Sequence, residues 1–445
     1  MLRPVALHDL TKLSAPERAA LLIRAEEDLS LYVERVKPIL AAVKAEGDAA
    51  LVRFAQQFDK APANFTAASL KVGKADIDAA FKTVSPEVIA AIEFAADNIR
   101  RYHQAQMPEE MWMKEIQPGV MTGERWNAID SCACYIPRGK GSFPSMVTMS
   151  LIPAVVAGVP RLIVLTPPGP DGKADAATLV AARISGVEEI YLVGGSQAIA
   201  AAAYGTATVP KVHKIVGPSN SYGVAAKRLL SDVIDPGFMA GPSESIIIAD
   251  ETADGRLAAL DLLIEAEHGP DSSAFLVTNS RKVAEAAIAA IPDFYKQMSE
   301  TRVSYCDEVL SGKRGGVVLA PDLQGVFDFV NDYAPEHLMV HAKEPFEHLG
   351  KIRNAGEILL GAETPNTLGN YVLGPNAILP TSGAARTASP LSVFDYLKRT
   401  SLAYVTPKGY PQMAKPAKAL ADYEGFDAHA NAVSDLRQQV VQGKR

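Results

Sequence analysis

Arg161-Leu-Ile-Val-Leu-Thr166 is a short aliphatic run that ends at two prolines and is followed by a helical pattern over residues 176–184. A second run, Ile190-Tyr-Leu-Val193, ends at Gly194-Gly195, and similar runs lie at residues 133–136 and 212–216. Strands that are aliphatic throughout, rather than alternating, are typical of a parallel sheet covered by helices on both faces. This part of the chain therefore predicts an α/β domain.

A second series of the same kind begins at Ser245-Ile-Ile-Ile-Ala-Asp250. It continues with predicted helices at 257–268 and 283–291 and predicted strands at 274–278, 317–319, 338–340 and 358–360. Two consecutive series predict two Rossmann-like parallel-sheet domains with a cleft between them. The predicted division is a helical N-terminal segment at 1–127, α/β domains at 128–240 and 241–386, and a helical C-terminal tail at 387–445.

The composition excludes two broad classes of protein. The 445 residues carry a net charge of −7, so the basic surface that binds nucleic acid is absent. No apolar run approaches the roughly 18 residues of a membrane span. The first residues lack the basic and apolar regions of a signal peptide, so we expect a cytoplasmic protein. The three cysteines, Cys132, Cys134 and Cys306, form no disulfide framework.

Two histidines stand close to carboxylates. Glu265 and His268 are one helical turn apart, a spacing with which a carboxylate and an imidazole can hold a divalent metal together. The pair could equally be a solvent-facing helix end, where the dipole favours histidine. Glu336 and His337 precede an apolar strand, and a neutral imidazole there could act as a general base. An exposed pair that caps the strand is the alternative.

A glycine fingerprint of the GxGxxG type is absent, since Gly139-Lys-Gly141-Ser-Phe-Pro144 fails at the last glycine. Three predicted strands instead end in small residues and one polar side chain: Tyr135-Ile-Pro-Arg-Gly139, Gly194-Gly-Ser-Gln197 and Gly217-Pro-Ser-Asn220. Ligands of open α/β sheets bind outside the carboxyl ends of strands, where helix N-termini favour phosphate. These segments predict either such a site or ordinary turns.

Several segments together resemble the histidinol dehydrogenase family. Three contain histidine or acidic residues: Glu265-Ala-Glu-His-Gly-Pro-Asp-Ser272, Asn331-Asp-Tyr-Ala-Pro-Glu-His-Leu338 and Glu424-Gly-Phe-Asp-Ala-His-Ala430. Four are rich in small residues: Val193-Gly-Gly-Ser-Gln-Ala-Ile-Ala200, Gly217-Pro-Ser-Asn220, Ala240-Gly-Pro-Ser-Glu244 and Leu379-Pro-Thr-Ser-Gly-Ala-Ala-Arg386. They occur in the family's order, from about residue 25 to about residue 435. The resemblance implies a homodimeric enzyme that contains zinc and oxidises a primary alcohol through an aldehyde to a carboxylate with two NAD.

The resemblance also implies a role for individual residues. In the family the positions of Tyr135, Gln197 and Asn220 contact NAD, so 128–240 would be the NAD-binding domain. His337 would be the general base and Glu336 the activator of water, within the domain at 241–386. The implied zinc ligands are Glu265, His268, Asn370 and His429. The implied substrate-binding residues are Ser243, Glu265, His268, His337, Asn370, Glu424 and His429, with Glu424 and the tail supplied by the partner subunit.

The chain departs from the family at three of these places. Glu265 replaces a glutamine and Asn370 an aspartate, so the formal charge of the ligand set is unchanged. Such oxygen and nitrogen donors still suit zinc. Ala377 stands where the family usually has a histidine near the substrate, and this change puts the specificity in question.

Three functions are therefore open. The first is a dehydrogenase of L-histidinol, and the second is a paralogue that oxidises another small amino or hydroxy alcohol, which Ala377 and Asn370 favour. The third is a catalytically silent ligand-binding protein. A silent protein has no need of the retained set Glu336, His337, His268 and His429, so the sequence favours an enzyme.

Overall fold

The computed structural model describes residues 2–24, 29–138, 141–238 and 241–443, which form two compact units. The first unit comprises the chain up to Gln106 together with Ile129–Tyr396, and the second comprises Met107–Ala128 and the chain from Leu397 onward. Both parallel sheets belong to the first unit, and the predicted boundaries at residues 127, 240 and 386 are a finer division that remains a prediction. Gly139, Lys140 and Ala240 of the segments quoted above lie outside the described residues.

The N-terminal part contains strands as well as the expected helices. Its elements are β1 (Leu7–Asp9), α1 (Ala15–Ala20), α2 (Leu29–Glu46), α3 (Asp48–Phe58), α4 (Lys74–Thr83), α5 (Pro86–Gln106), β2 (Met111–Gln117) and β3 (Val120–Ala128). In α5 the buried side chains Ile92, Ala96, Ile99 and His103 recur at intervals of three and four residues, as in a helix with one face against a core. The helical segment predicted at 1–127 thus contains three strands in addition to its helices.

The first parallel sheet is built from four buried strands. The elements of this region are β4 (Ser131–Tyr135), α6 (Pro144–Val156), β5 (Arg161–Thr166), α7 (Ala176–Ser185), β6 (Ile190–Leu192), α8 (Gly195–Tyr204), β7 (Lys214–Val216) and α9 (Ser221–Leu229). The strand order is β6-β5-β4-β7, with every pairing parallel. The strands β5 and β6 therefore lie on one side of β4, and β7 lies on the other. Open α/β sheets form a ligand crevice at such a reversal of strand order.

The second parallel sheet has six strands in the order β1-β10-β9-β8-β11-β12. The elements of this region are β8 (Glu244–Ala249), α10 (Gly255–Ala266), β9 (Ser273–Thr278), α11 (Arg281–Tyr295), α12 (Glu300–Leu310), β10 (Gly315–Leu319), α13 (Leu323–Tyr333), β11 (His337–His341), β12 (Glu357–Leu360) and α14 (Asn366–Tyr371). Ile247 packs into one apolar cluster, and Ile246 and Ile248 pack into another. The sheet thus has a core on each face, which explains its uninterrupted apolar strands.

The second unit is an antiparallel sheet with helices. The remaining elements are β13 (Leu397–Val405), α15 (Tyr410–Glu424), α16 (Asp427–Ala432) and α17 (Asp435–Gln442), and short 3-10 helices occur at Ala67–Ser69, Pro345–Lys351, Ala384–Arg386 and Val393–Asp395. The antiparallel strand order is β13-β3-β2. The helical tail predicted at 387–445 has the helices α15, α16 and α17 and, in addition, the strand β13. Because β2 and most of β13 are exposed on both faces, their sequences lack the apolar alternation that predicts a strand.

Within the described parts of the chain, no helix combines the length and the apolar composition needed to cross a membrane. The parallel sheets and their covering helices confirm the α/β class predicted from the sequence.

Candidate active site

A cavity of about 2440 Å³ in the first unit is lined by the ends of strands from both parallel sheets. Tyr135 and Asn220 lie at the carboxyl ends of β4 and β7. Ser243 precedes β8, and Glu336 and His337 lie at the amino end of β11. The cavity therefore joins the carboxyl edge of the four-stranded sheet to the amino edge of the six-stranded sheet. Two of the three residues that the sequence analysis assigned to the cofactor, Tyr135 and Asn220, therefore line the same space as both residues assigned to catalysis.

One cluster at the amino edge consists of Glu265, His268 and Asn370. The Glu265 side chain is fully buried at the end of α10, and His268 follows the helix and is exposed. Nδ1 of His268 lies 2.9 Å from Oε2 of Glu265 and 2.9 Å from Oγ of Ser243. The side-chain amide of Asn370 donates to Oε1 of Glu265 at 2.9 Å. The predicted pair thus lines the cavity, with Glu265 buried and the His268 ring open to solvent within it.

Two opposing effects determine the pKa of Glu265. Burial disfavours its ionised form, but the rings of His337 and His268 outweigh burial and lower the pKa of Glu265 to about 2. Burial likewise disfavours a charged His268, and the Glu265 carboxylate raises the pKa of that ring above its usual value. The cluster therefore holds a carboxylate in a buried position, where only nearby positive charge makes it tolerable.

The predicted catalytic pair is buried at the start of β11. Ala334, which ends α13, has the left-handed φ of 54°, and this turn leads the chain into Glu336 and His337. Oε2 of Glu336 accepts a hydrogen bond of 2.8 Å from the backbone N–H of Glu244. Nε2 of His337 lies 3.9 Å from Oε1 of Glu336 and 4.0 Å from Oε1 of Glu265. The two side chains are buried in the cavity wall, so they are not an exposed strand cap.

The pKa values of Glu336 and His337 are both raised. Burial is the main cause that raises the pKa of Glu336 to about 8, against the partly opposing effect of the His337 ring. Burial would lower the pKa of His337, but the carboxylates of Glu265 and Glu357 outweigh it and raise that pKa to about 10. Such perturbed groups in a cleft are typical of catalytic sites.

The structure adds two acidic residues that the sequence analysis missed. Glu357, the first residue of β12, is buried and accepts from Nδ1 of His337 at 3.0 Å. Glu244, the first residue of β8, forms a buried ion pair with Arg24, with 3.1 Å between Nε and Oε1. Both are single glutamates at the start of aliphatic strands, and only their position at the amino edge could have indicated them.

The carboxyl edge has a different chemistry. The Tyr135 hydroxyl accepts a hydrogen bond of 3.1 Å from the N–H of Gly195, the first residue of α8, and burial raises the pKa of Tyr135 to about 12. The Asn220 side chain caps α9 by accepting from the N–H of Gly223 at 3.2 Å. Gln197 is buried in the first turn of α8. The edge thus offers the first turns of two helices, which favour phosphate.

Ala377 and the two predicted residues of the tail are placed as follows. Ala377 is buried and lines the cavity, so a methyl group stands at its wall. Glu424 ends α15 and His429 lies in α16, both exposed in the second unit. The described residues that line the cavity all belong to the first unit. The roles of Glu424 and His429 remain predictions.

The side chains at the end of α10 fit a zinc ion chemically. Glu265 supplies a carboxylate and His268 an imidazole, while Nδ2 of Asn370 is engaged by Glu265 and its Oδ1 can ligate. In the described ranges no three His, Cys, Asp or Glu side chains form a metal-binding group, as expected where one of the donors is an amide. The ligand assignment remains a prediction that this donor set supports.

Comparisons with known proteins agree with the site. Residues 22–437 match the family model of histidinol dehydrogenase. "Histidinol dehydrogenase homolog 2" of Mesorhizobium japonicum is 57% identical over 439 residues, which cover 99% of each chain. Histidinol dehydrogenase of Synechocystis is 49% identical over 93% of this chain and 94% of its own length. The crystal structure of histidinol dehydrogenase from Elizabethkingia anophelis superposes with a TM-score of 0.92 at 32% identity, over 99% of this chain and 100% of that one.

These matches extend over nearly the whole chain and agree with the resemblance seen in the motifs. The chain belongs to the histidinol dehydrogenase family, whose members are NAD-dependent oxidoreductases that use zinc.

Proposed function

We propose that this protein oxidises a small polar primary alcohol through the aldehyde to the carboxylate in two NAD-dependent steps, with L-histidinol as the family's default substrate. The observation that carries the proposal is the cavity itself. Glu336 and His337 line it from one sheet, and Tyr135 and Asn220 line it from the other. An alcohol held beside His337 would thus face the edge assigned to the cofactor.

In the first step the Nε2 atom of His337 accepts the proton of the substrate hydroxyl. The carbon–hydrogen electron pair leaves as hydride, and the carbon–oxygen bond becomes the aldehyde double bond. The nicotinamide of NAD, when bound, accepts that hydride. General-base catalysis requires a ring without a proton on Nε2, and the Glu265 carboxylate is one cause that keeps His337 protonated. A positive ion held by Glu265 would offset this carboxylate and lower the pKa of His337.

In the second step water adds to the aldehyde carbon. Glu336 accepts one proton from that water as it adds. The hydrate anion that results loses its carbon-bound hydrogen as hydride to a second NAD, when bound, and its remaining hydroxyl proton to solvent, which leaves the carboxylate. The raised pKa of Glu336 makes its ionised form a stronger base than an exposed carboxylate. The backbone N–H of Glu244 holds its Oε2, so Oε1 is the atom that faces His337 at 3.9 Å.

The residues that would hold zinc are Glu265, His268 and Asn370, with His429 as the fourth ligand. When bound, zinc supplies Lewis-acid polarisation of the substrate's polar groups. Ser243 supports this assignment, because its Oγ lies 2.9 Å from Nδ1 of His268 and could position that ring.

The proposed protein is a homodimer in which Glu424 and His429 complete the site of the partner subunit. The second unit supports this proposal, because it exposes large apolar side chains on two strands, on α15 and just before α16. These include Met111, Ile116, Tyr404, Leu420, Tyr423 and Phe426. Exposed apolar groups of this number are typical of protein interfaces. Sedimentation should find a dimer, and a fully active monomer would contradict the shared site.

A paralogue that acts on another amino or hydroxy alcohol is the second candidate. It is favoured by the methyl of Ala377 in the cavity wall, where a polar contact to the substrate is expected in the family.

A panel of small primary alcohols and their aldehydes, including L-histidinol, tests both candidates through the rate of NADH formation. The true substrate should yield two NADH per alcohol consumed. Preference for a different alcohol identifies a paralogue. NAD binding without turnover of any alcohol or aldehyde would mean a silent ligand-binding protein and overturn the proposal.

A further inference from the structure

Glu357 is placed against His337 by the register of two strands. His337 and Glu357 are Cα partners on the parallel neighbours β11 and β12, and each is the first residue of its strand. Partners in register project to the same face of a sheet. Oε2 of Glu357 consequently lies 3.0 Å from Nδ1 of His337, with both side chains buried.

This contact determines which ring nitrogen can exchange a proton. An ionised carboxylate only accepts hydrogen bonds, so Nδ1 of His337 must carry the hydrogen. When the ring is neutral, the lone pair is therefore on Nε2. Nε2 is also the atom that lies near Glu336 and Glu265, at 3.9 and 4.0 Å. The hydrogen bond thus orients the reactive nitrogen toward the other acidic groups of the cavity.

The space for this carboxylate is provided by Gly369. A Cβ atom on Gly369 would lie 2.9 Å from Oε1 and 3.2 Å from Oε2 of Glu357, which is too close. Gly369 has no left-handed φ, so its backbone conformation does not require glycine. The next residue is Asn370, which donates to Glu265. The segment that carries a proposed metal ligand is therefore shaped to admit the carboxylate of Glu357.

Stability alone gives little reason for Glu357. Oε1 of Glu357 is buried and has no hydrogen-bond partner within the described residues. Replacing a buried ion pair by apolar side chains often leaves stability unchanged or increases it. A lone glutamate at the start of an otherwise aliphatic strand is thus better explained by its action on His337.

We propose that Glu357 is a positioning residue that fixes the ring orientation and the tautomer of His337, so that Nε2 is the atom that takes the substrate's proton. The inference rests on the proposed function, since it concerns the base of that reaction.

The test compares Glu357→Ala and Glu357→Gln with the wild type. Loss of a partner that orients an imidazole typically costs ~10–100-fold, so we expect kcat of Glu357→Ala to fall by about that factor. The KM values for alcohol and NAD should stay within about threefold. Glu357→Gln retains an oxygen that can accept from Nδ1 and should recover part of kcat. Nitrogen NMR, recorded at a pH at which the His337 ring is neutral, should show the proton on Nδ1 in the wild type and mixed tautomers in Glu357→Ala.

A second buried histidine of β11, which faces a carboxylate on α10, provides the control. Nε2 of His341, the last residue of β11, lies 3.0 Å from Oδ2 of Asp261, and both side chains are buried. Asp261→Ala removes a buried carboxylate from beside a histidine at the opposite end of β11, so it should lower thermal stability without the selective fall in kcat.

Unchanged kcat in Glu357→Ala, or equal losses in the two alanine variants, would overturn the inference. If the wild type oxidises no alcohol, the proposed function fails by itself. The NMR arm then decides the inference, because a wild-type ring without a proton on Nδ1 contradicts it.

Discussion

The cavity is lined by two sheet edges of opposite direction, and they differ in charge. At the carboxyl edge of the four-stranded sheet, α8 and α9 begin near Tyr135 and Asn220. At the amino edge of the six-stranded sheet, α10 ends and four glutamates are buried, namely Glu244, Glu265, Glu336 and Glu357. Ligands of open α/β sheets bind at carboxyl edges, and only the first edge follows that rule.

The difference teaches how one cavity can serve two kinds of ligand. Helix N-termini carry partial positive charge and favour the phosphates of a dinucleotide, whereas helix C-termini favour cations. The amino edge places carboxylates and imidazoles at the end of α10, where a cation and a proton-transferring ring are both stabilised. Changes at one edge should therefore leave the other edge's ligand unaffected.

The largest effect should come from His337→Asn. Loss of the general base should lower kcat by ~10²–10⁴-fold, and NAD affinity measured by calorimetry should remain unchanged. A comparable loss of NAD binding would show that the two edges are not independent.

Zinc content should also distinguish variants of the amino edge from variants of the carboxyl edge. We expect close to one zinc per chain in the wild type and most of it lost in His268→Ala, because His268 is an imidazole donor at the end of α10. His213→Ala is the control, since that ring contacts Ser131 of the four-stranded sheet at 2.9 Å. Elemental analysis that finds a full complement in His268→Ala would refute the assigned ligand.

Lys227 of α9 is a buried cation beneath the carboxyl edge. Its Nζ donates to the Gly217 carbonyl at 2.8 Å, and burial lowers its pKa from 10.5 to about 8. Between these values the unfolded chain binds more protons than the folded chain, so the free energy of unfolding should rise with pH, by up to about 3 kcal/mol. In chemical denaturation, the free energy of unfolding of Lys227→Met should depend less on pH than that of the wild type.

The exposed neighbour Arg228 provides a control on the same helix. Arg228→Met should keep the pH dependence of the wild type. If the free energy of unfolding of Lys227→Met changes with pH as it does in the wild type, the buried ammonium is not the source of that pH dependence.

The smallest effect concerns Ala377. Loss of a polar contact between the protein and its substrate costs ~1–3 kcal/mol, which corresponds to about a 5- to 150-fold decrease in kcat/KM. We expect L-histidinol to be a poor substrate that Ala377→His improves, as measured by kcat/KM. Efficient turnover by the wild type, without improvement in the variant, would mean that Ala377 does not determine specificity.

The sequence predicted the cluster of the amino edge because its residues lie in recognisable segments. The position of Glu265 beside His268, and of Glu336 beside His337, follows from helical and strand geometry applied to adjacent residues. Glu357 could not be found in this way, since its contact with His337 arises from strand register across 20 residues.

Other features were hidden because their local pattern suggests something else. Lys227 is a lysine, a residue type that is almost always exposed, yet α9 buries it. β2 and β13 are exposed on both sides, so neither shows an apolar alternation. β1 has three residues, and its place in the six-stranded sheet depends on a partner far along the chain.

That partner has a consequence for synthesis on the ribosome. β1 pairs in parallel with β10, with Leu7 opposite Val317, so about 310 residues separate the two strands. At ~5–20 residues per second, roughly 15–60 s elapse before the partner of β1 is made. During that time the first strand cannot take its native place, and the six-stranded sheet can close its edge only late in translation or after release.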